Sequence, residues 1–189
     1  MASRTLAAAV TAVAALAVTL VTASPAPAQA ANEYNRLIYN VKTGKCLDVP
    51  WEGPPTQAST LQQWDCIPGT QDNQRFDLVY VTGDLFVIRS SKNPSLCLDL
   101  PGTEPVGNSA VGFYPCQYST DDNQLWLWGQ PPGGVTERTL VNRKSQDTGF
   151  PHCLDVGGYG NKTNGVPVGL YRCAMFDRND DHLWYTKNG

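Results

Sequence analysis

The stretch Cys46-Leu47-Asp48-Val49 occurs three times in this chain with little change. It returns as Cys97-Leu98-Asp99-Leu100 and as Cys153-Leu154-Asp155-Val156. A second cysteine follows the cysteine of each copy at nearly the same distance: Cys66, Cys116 and Cys173. These three pairs use all 6 cysteines of the chain. Self-similarity at a nearly regular period is the signature of a repeat protein, so we interpret the chain as three copies of one unit.

The first thirty residues have the pattern of a secretory signal peptide. Arg4 supplies the positive charge, residues 6–21 form an apolar run, and Ala28-Gln29-Ala30 is a cleavage site of small residues. A transmembrane anchor is the alternative, but the run is shorter than the roughly 20 apolar residues that a membrane span needs. We therefore expect residues 1–30 to be removed and residues 31–189 to form a secreted, extracellular protein.

Charge and length limit the partners and the number of domains. The 189-residue chain has a formal net charge of −3, and no basic block stands out. Binding to nucleic acid by phosphate neutralisation is therefore disfavoured, and so are docking on an anionic membrane and membrane insertion. Residues 31–189 suit a single domain. We place the three repeats at residues 34–82, 83–133 and 134–189, and the oligomeric state stays open.

Export would make disulfides chemically available to the cysteines. Six cysteines allow many pairings, but the repeat makes one of them the simplest, with a single bridge inside each unit: Cys46–Cys66, Cys97–Cys116 and Cys153–Cys173. A zinc site is the alternative. It is disfavoured because no two cysteines have C-x-x-C spacing and the two histidines stand beside different cysteines. We expect three disulfides and no metal.

Short apolar runs separated by turn residues predict an all-β chain. Examples of these runs are residues 37–39, 85–88 and 140–141, and segments rich in Gly, Pro, Ser and Thr follow them. No window has a sustained helical period. Each unit closes on an aromatic residue that we assign to the core: Phe76, Trp126 and Trp184. The extra length around residues 130–134 and 147–152 is interpreted as surface insertions.

The motif before each closing aromatic resembles a known family. It stands as Asn73-Gln74-Arg75-Phe76, Asn123-Gln124-Leu125-Trp126 and Asp181-His182-Leu183-Trp184. The second copy is N-Q-x-W, the first has Phe in place of Trp, and the third has Asp-His in place of Asn-Gln. Three copies of this motif, each in a unit with a cysteine pair, resemble the ricin-type β-trefoil lectin domain, which bacteria also use as a xylan- or galactose-binding module. The resemblance implies a β-trefoil of twelve strands, about four in each of three pseudo-symmetric repeats. It also implies one potential sugar pocket in each unit.

Sugar chemistry indicates which residues of each unit could form that pocket. A pyranose presents adjacent hydroxyls, which a carboxylate accepts from, and an apolar face of C–H bonds, which an aromatic ring covers. A side-chain amide can both donate to and accept from a further hydroxyl. Two units carry these types in the same order, and the third has aspartate in place of the amide. We predict three carbohydrate-binding triads: Asp48, Trp64 and Asn73; Asp99, Tyr114 and Asn123; Asp155, Tyr171 and Asp181.

Other roles for these residues stay open at this point. The three aspartates precede turns and could stabilise them through the backbone, and the aromatic residues could belong to the core. Gln74 and Gln124 are interpreted as structural residues that hydrogen-bond strands. In the third unit Asp181 and His182 replace Asn and Gln, which removes the amide and puts a second carboxylate near Asp155. We therefore rank the second unit first, the first unit next and the third last.

The sequence points away from catalysis. Glycoside hydrolysis needs two carboxylates held together, but the repeated aspartates belong to different units, and neither histidine has a recognisable nucleophile beside it. We expect no enzyme activity, no catalytic domain and no cofactor. The expected function is a secreted lectin that binds sugar units of the galactose or xylose type in polysaccharides or glycans. The alternatives are a β-trefoil protease inhibitor that acts through residues 130–139, and a small secreted glycan hydrolase.

Overall fold

The computed structural model describes residues 30–69, 71–102, 109–129, 137–174, 177 and 179–188. The predicted signal peptide, apart from Ala30, lies outside the described residues. So do residues 130–136, which contain the insertion between the second and third repeats and most of the loop considered for protease inhibition.

In the part of the chain that the structure describes, twelve strands follow one another, four for each predicted repeat. The first unit contains β1 (Glu33–Asn40), β2 (Cys46–Asp48), β3 (Leu61–Trp64) and β4 (Phe76–Thr82). The second contains β5 (Leu85–Ser90), β6 (Leu96–Asp99), β7 (Gly112–Pro115) and β8 (Leu125–Gly129). The third contains β9 (Thr139–Asn142), β10 (His152–Val156), β11 (Pro167–Arg172) and β12 (Trp184–Lys187).

The first and last strands of the three units form a closed barrel. Strand β1 pairs antiparallel with β4, β4 with β5, β5 with β8 and β8 with β9. Strand β12 pairs with β1, and a bridge between Arg138 and Trp184 joins β12 to the start of β9. Closure leaves no free sheet edge among these six strands, which removes the usual template for aggregation.

The two middle strands of each unit form a hairpin, and the three hairpins meet over one end of the barrel. The hairpins are β2–β3, β6–β7 and β10–β11. Leu61 pairs with Val168, Thr60 bridges to Gly112, and Ala110 bridges to Gly169, so each hairpin contacts both others. A six-stranded barrel with three such hairpins is a β-trefoil, and the predicted all-β fold with three pseudo-symmetric repeats is confirmed.

The core is built from positions that recur in each of the three repeats. The leucine of each Cys-Leu-Asp stretch is 0% exposed: Leu47, Leu98 and Leu154. The three closing aromatics are also 0% exposed and belong to the same apolar cluster: Phe76, Trp126 and Trp184. Full burial of side chains of this kind contributes about 1.5–3 kcal/mol each. The prediction that the closing aromatics belong to the core is confirmed, and the leucine that follows the first cysteine of each unit is buried in the same cluster.

Three disulfides staple the hairpins, as the repeat predicted. The bonded pairs are Cys46–Cys66, Cys97–Cys116 and Cys153–Cys173, with Cα–Cα distances of 5.0, 4.9 and 5.0 Å. Each bridge joins a residue of the hairpin's first strand to one that follows its second strand. These distances lie in the ordinary range for disulfides.

Helical structure is confined to two short segments among the described residues. One is a 3-10 helix at Lys144–Thr148, and the other is a turn at Gly157–Gly160 in which Gly158 and Tyr159 have left-handed backbone angles. No helix in the described part of the chain is long and apolar enough to cross a membrane.

At Gly169 the backbones of two hairpins lie close together. A Cβ atom at this position would lie 2.7 Å from the backbone oxygen of Ser109, which accepts a hydrogen bond from Leu170 N at 2.8 Å. We expect Gly169→Ala to lower the free energy of unfolding by about 1–3 kcal/mol because the backbone must shift. Chemical denaturation measures this, with Gly53→Ala as the control, since a Cβ at Gly53 meets nothing within 4 Å. Equal stability of the two variants would contradict the close packing.

Candidate functional site

The aspartate of each Cys-Leu-Asp stretch stands beside an open cavity. Asp48 and Asp99 end β2 and β6, and Asp155 lies near the end of β10. The register places one residue of the neighbouring hairpin strand opposite each aspartate: Gln62, Gly112 and Gly169. In the first unit Gln62 Nε2 donates to Asp48 Oδ2 at 2.6 Å, whereas glycine leaves the other two aspartates without a side chain opposite them.

The cavity of the second unit has a volume of about 750 Å³ and brings its whole triad together. Asp99, Tyr114 and Asn123 all line it. Residues 57–60, from the first unit, line the same cavity because the hairpins meet there. Tyr114 is half-exposed, as expected of a ring at the rim of a pocket. The geometry suits an extended ligand with both hydroxyls and an apolar face.

The cavity of the first unit also contains its whole triad. Its volume is about 360 Å³, and Asp48, Trp64 and Asn73 line it. Trp51, from the loop that follows β2, lines it as well. Trp64 is half-exposed like Tyr114. This cavity is smaller than that of the second unit, and it has two tryptophans in its wall.

The third unit departs from the predicted triad. Asp155 and Tyr171 line a cavity of about 460 Å³, but Asp181 is not among its lining residues. Asp181 is 3% exposed, and its Oδ2 accepts a hydrogen bond from Gly160 N. This carboxylate therefore holds the loop after β10 and does not open onto the cavity. The expectation that Asp181 completes a triad with these two residues is corrected on this point.

Burial raises the pKa of the aspartates in the first two units. Asp48 is 5% exposed, and desolvation raises the pKa of its carboxyl although Gln62 and Gln74 donate to it. Desolvation also raises the pKa of Asp99, an effect that the hydrogen bond from Gln124 Nε2 at 3.1 Å partly offsets. A carboxylate that has lost water gains from any further hydroxyl donor that enters the cavity.

The amides of Asn73 and Asn123 shape the loops beside the cavities. Asn73 Nδ2 donates to the backbone oxygens of Val49, Trp51 and Gly53. Asn123 Nδ2 donates to the oxygens of Leu100 and Gly102, at 3.0 and 2.6 Å. Their N–H groups are thus used within the protein, and only the amide oxygen is left for a sugar hydroxyl. Of the two roles predicted for the amides of Asn73 and Asn123, donating to a sugar hydroxyl and accepting from one, the geometry leaves only the accepting role open.

The residue that follows Asn73, Asn123 and Asp181 accepts a hydrogen bond from the backbone in each unit. Gln74 Oε1 accepts from Ile67 N at 2.9 Å, and Gln124 Oε1 accepts from Gln117 N at 2.8 Å. In the third unit His182 Nε2 accepts from Ala174 N at 2.7 Å. All three are buried. The structural interpretation of Gln74 and Gln124 is confirmed, and His182 performs the same function with an imidazole nitrogen.

The imidazole of His182 lies between two carboxylates. Its Nδ1 is 3.1 Å from Asp155 Oδ2 and 3.2 Å from Asp180 Oδ1. Because Nε2 accepts from Ala174, the neutral ring carries its proton on Nδ1, which faces these oxygens. Burial of the ring lowers its pKa, but the hydrogen bond and charge of Asp155 and the charge of Asp180 outweigh burial and raise the pKa above its ordinary value.

Four side chains of the third unit offer oxygen or nitrogen atoms within 4.8 Å of one another: Asp155, Asp180, Asp181 and His182. The hydrogen bond between His182 and Asp155, the contact of His182 with Asp180 and the hydrogen bond from Gly160 N to Asp181 account for this arrangement. The expectation that the protein has no metal site stays a prediction.

Sequence reasoning missed three contributors to the cavities. Trp51 stands where the other repeats have Gly102 and Gly158, so a search for residue types shared by the three units does not indicate it. Gln62 could have been found, because it replaces the glycine of the other two hairpins. Residues 57–60 reach the cavity of the second unit only through packing between units, and no pattern within one repeat indicates that.

Comparison with known proteins identifies the family to which the first two repeats correspond. The family model of the ricin-type β-trefoil lectin domain matches residues 34–130. This range covers the first repeat, most of the second and two complete triads. No curated protein matches the chain at a significant level.

Solved structures with the same fold include free-standing proteins and one domain of a larger enzyme. The designed three-fold symmetric protein ThreeFoil has a TM-score of 0.63 at 20% identity, over 82% of this chain and 98% of its own. The Macrolepiota procera ricin B-like lectin in complex with lactose has a TM-score of 0.59 at 19% identity, over 87% and 100%. The exo-β-1,3-galactanase 1,3Gal43A of Clostridium thermocellum has a TM-score of 0.65 at 19% identity, over 82% and 30%.

Proposed function

Because this chain belongs to the ricin-type β-trefoil lectin domain family, we propose that it binds sugar units of the galactose or xylose type in polysaccharides or glycans. The observation that carries the proposal is the cavity of the second unit. Asp99, Tyr114 and Asn123 all line this cavity. The carboxylate of Asp99 is desolvated, the ring of Tyr114 is half-exposed, and the amide of Asn123 donates to the backbone of the neighbouring loop. The fold and the lectin relatives support carbohydrate binding in general, and the kind of sugar is the proposed step.

The proposal includes up to three shallow sites on one body. The aspartates line three different cavities, so one protein could contact a repeating polysaccharide more than once. A second contact on the same chain is intramolecular, which raises the overall affinity without new kinds of interaction. We rank the third site last because its cavity lacks the side chain of Asp181.

The family supports a binding protein more than an enzyme, and we propose that the chain has no catalytic activity. The galactanase shows that this fold also occurs within enzymes, where the present chain matches 30% of the whole. A hydrolytic pair needs two carboxylates on either side of one bond. No two of the three repeated aspartates line the same cavity, which supports their use as acceptors for hydroxyls.

We also propose that the protein is secreted. Three disulfides are typical of proteins that fold in an oxidising compartment, and the sequence of residues 1–30 has the signal pattern. N-terminal sequencing of the exported protein tests this, with Ala31 as the expected first residue. Retention of residues 1–30 would contradict it.

A glycan array combined with pull-down on insoluble polysaccharides tests the proposed function. We expect saturable binding to a subset of neutral glycans and no release of reducing sugar. Inhibition of a trypsin-like protease without glycan binding would favour the inhibitor alternative, and release of reducing sugar would favour the hydrolase. A folded protein that binds no glycan would contradict the proposal.

Binding should weaken on acidification at a higher pH than an ordinary aspartate would cause. Protonation of Asp48 or Asp99 removes the charged acceptor, and desolvation raises the pKa of both above the ordinary 3.8. Affinity is therefore expected to be full at neutral pH and to fall as the pH drops through these raised values. Titration calorimetry at successive pH values measures the midpoint. A midpoint at or below 3.8 would show that neither carboxylate controls binding.

A further inference from the structure

Trp51 combines two unfavourable properties in one residue. Its side chain is 89% exposed, although tryptophan is among the residues that gain most from burial. Its backbone has a φ of 74°, in the left-handed region where a Cβ atom crowds the following carbonyl. Outliers of this kind persist only where the surrounding structure imposes them, and they concentrate at functional sites.

The other two repeats show what the backbone prefers at this position. Trp51 stands three residues after Asp48, and the residues three after Asp99 and Asp155 are Gly102 and Gly158. Their φ angles are 81° and 83°. The loop therefore has the same left-handed residue in all three units. Glycine adopts it without strain, and the first unit alone places the largest side chain there.

The contacts of the loop keep the indole beside the cavity. Asn73 Nδ2 donates to the backbone oxygens of Val49, Trp51 and Gly53, so it holds the residues on both sides of the left-handed position. Trp51 and Trp64 line the same cavity of about 360 Å³, together with Asp48. Among the described residues, the other two cavities each have one half-exposed aromatic residue in their lining, Tyr114 and Tyr171, at the position of Trp64.

We propose that Trp51 is a second aromatic plate of the first site, so that this site covers two apolar faces of a sugar chain. The proposal rests on the carbohydrate-binding function proposed above. A pyranose whose substituents are all equatorial has C–H bonds on both faces, whereas an axial hydroxyl makes one face polar. Two plates therefore favour chains of gluco- or xylo-configured pyranoses over galactose-configured ones, and the first site differs in preference from the second.

The charge of the cavity restricts the ligand further. Asp48, Glu52 and Asp72 line it, and its lining contains no lysine or arginine among the residues that the structure describes. Three carboxylates around one cavity repel an anionic ligand. The first site is therefore expected to take neutral chains and to reject chains of uronic acids.

The test uses a background in which only the first site is intact, Asp99→Ala with Asp155→Ala in the full chain. On this background, titration calorimetry with xylohexaose and cellohexaose is expected to show binding that Trp51→Gly weakens about tenfold. Galactose and lactose should bind weakly, with no change on Trp51→Gly. Because glycine suits the left-handed backbone, the unfolding temperature of the Trp51→Gly protein should equal or exceed that of its parent.

Tyr159→Gly is the matched control. Like Trp51, Tyr159 is an exposed aromatic residue with a positive φ, and its side chain is 92% exposed, but it does not line this cavity. It should leave the affinity for both hexasaccharides unchanged. Equal affinity of the Trp51→Gly protein and its parent, with binding lost in Trp64→Ala, would overturn the second plate but leave the proposed function intact. Absence of binding on this background while the wild type binds would overturn the first site, and absence in the wild type too would overturn the proposed function.

Discussion

Replacement of Asp48, Asp99 and Asp155 together with alanine is expected to weaken glycan binding about a hundredfold or more. Each aspartate lines one of the three cavities, and two of them are desolvated carboxylates. A hydrogen bond to a charged group contributes about 1.5–3 kcal/mol, so the loss at each site corresponds to about tenfold to hundredfold in affinity. Loss of avidity on a polymer adds to this. Pull-down on an insoluble polysaccharide, with calorimetry on its soluble fragments, measures the effect.

A control variant with the same change in net charge distinguishes the loss of the binding sites from a general effect of charge. Asp65, Asp84 and Asp147 are exposed and line none of the three cavities. The protein with these three replaced by alanine should bind like the wild type. Circular dichroism checks that both triple variants are folded, since Asp65→Ala removes the ion-pair partner of Lys45 and Asp155→Ala removes one of the two carboxylates that contact His182. If the cavity variant binds as tightly as the control, the three aspartates do not form the sites.

Reduction of the three disulfides is expected to unfold the protein. Each bridge closes a loop of 20, 19 or 20 residues. In the chain-entropy model such a loop contributes about 3 kcal/mol, and the three together approach the roughly 5–15 kcal/mol by which native domains are stable. Cys97→Ala with Cys116→Ala, which removes one bridge, should lower the free energy of unfolding by about 3 kcal/mol. Urea denaturation with and without a strong reductant measures both.

Denaturation of the reduced protein also shows how much of the stability comes from the disulfides and how much from the barrel. The barrel strands carry the closing aromatics and pair without help from any cysteine bridge. If the fully reduced protein keeps its denaturation midpoint, the barrel alone carries the fold. The oxidised protein in the same buffer, with its thiols absent on titration, serves as the reference.

The fold was predictable because one structural unit is repeated three times in the sequence. The spacing of the cysteines, the buried leucines and the closing aromatics each recur, so an error in one repeat is corrected by the other two. The pairing between hairpins was not predictable in this way. Bridges such as Ala110 to Gly169 join different units, and the sequence of a single unit contains no signal for them.

The candidate site was predictable in its residue types but not in their orientation. The aspartate and aromatic positions all line cavities, since strand alternation fixes which face they occupy. Asn73 and Asn123 lie in turns, where hydrogen bonds to nearby carbonyls compete with ligand. Asp181 was expected to face the sugar, but its carboxylate accepts from the backbone of the loop after β10.

The third unit shows why residue chemistry alone was insufficient. The sequence indicates repulsion between Asp155 and Asp181, and burial together with that charge does raise the pKa of Asp181. The structure adds an imidazole at the centre of the cluster, with Nδ1 facing Asp155 and Asp180. The substitution of Gln by His182 is therefore a structural replacement that also supplies a donor to the carboxylates.

Amide NMR spectra of the isotope-labelled protein, recorded during titration with a glycan that it binds, test the central claim most directly. The account predicts saturable shifts in the backbone of residues 48–53 and 99–102 and in the side-chain amides of Gln62 and Gln124, which donate to the site aspartates. Residues 184–187 of β12, in the barrel, should stay unmoved. Saturable shifts confined to the cavity around Phe150 and Arg172, with none at residues 48–53 or 99–102, would contradict it.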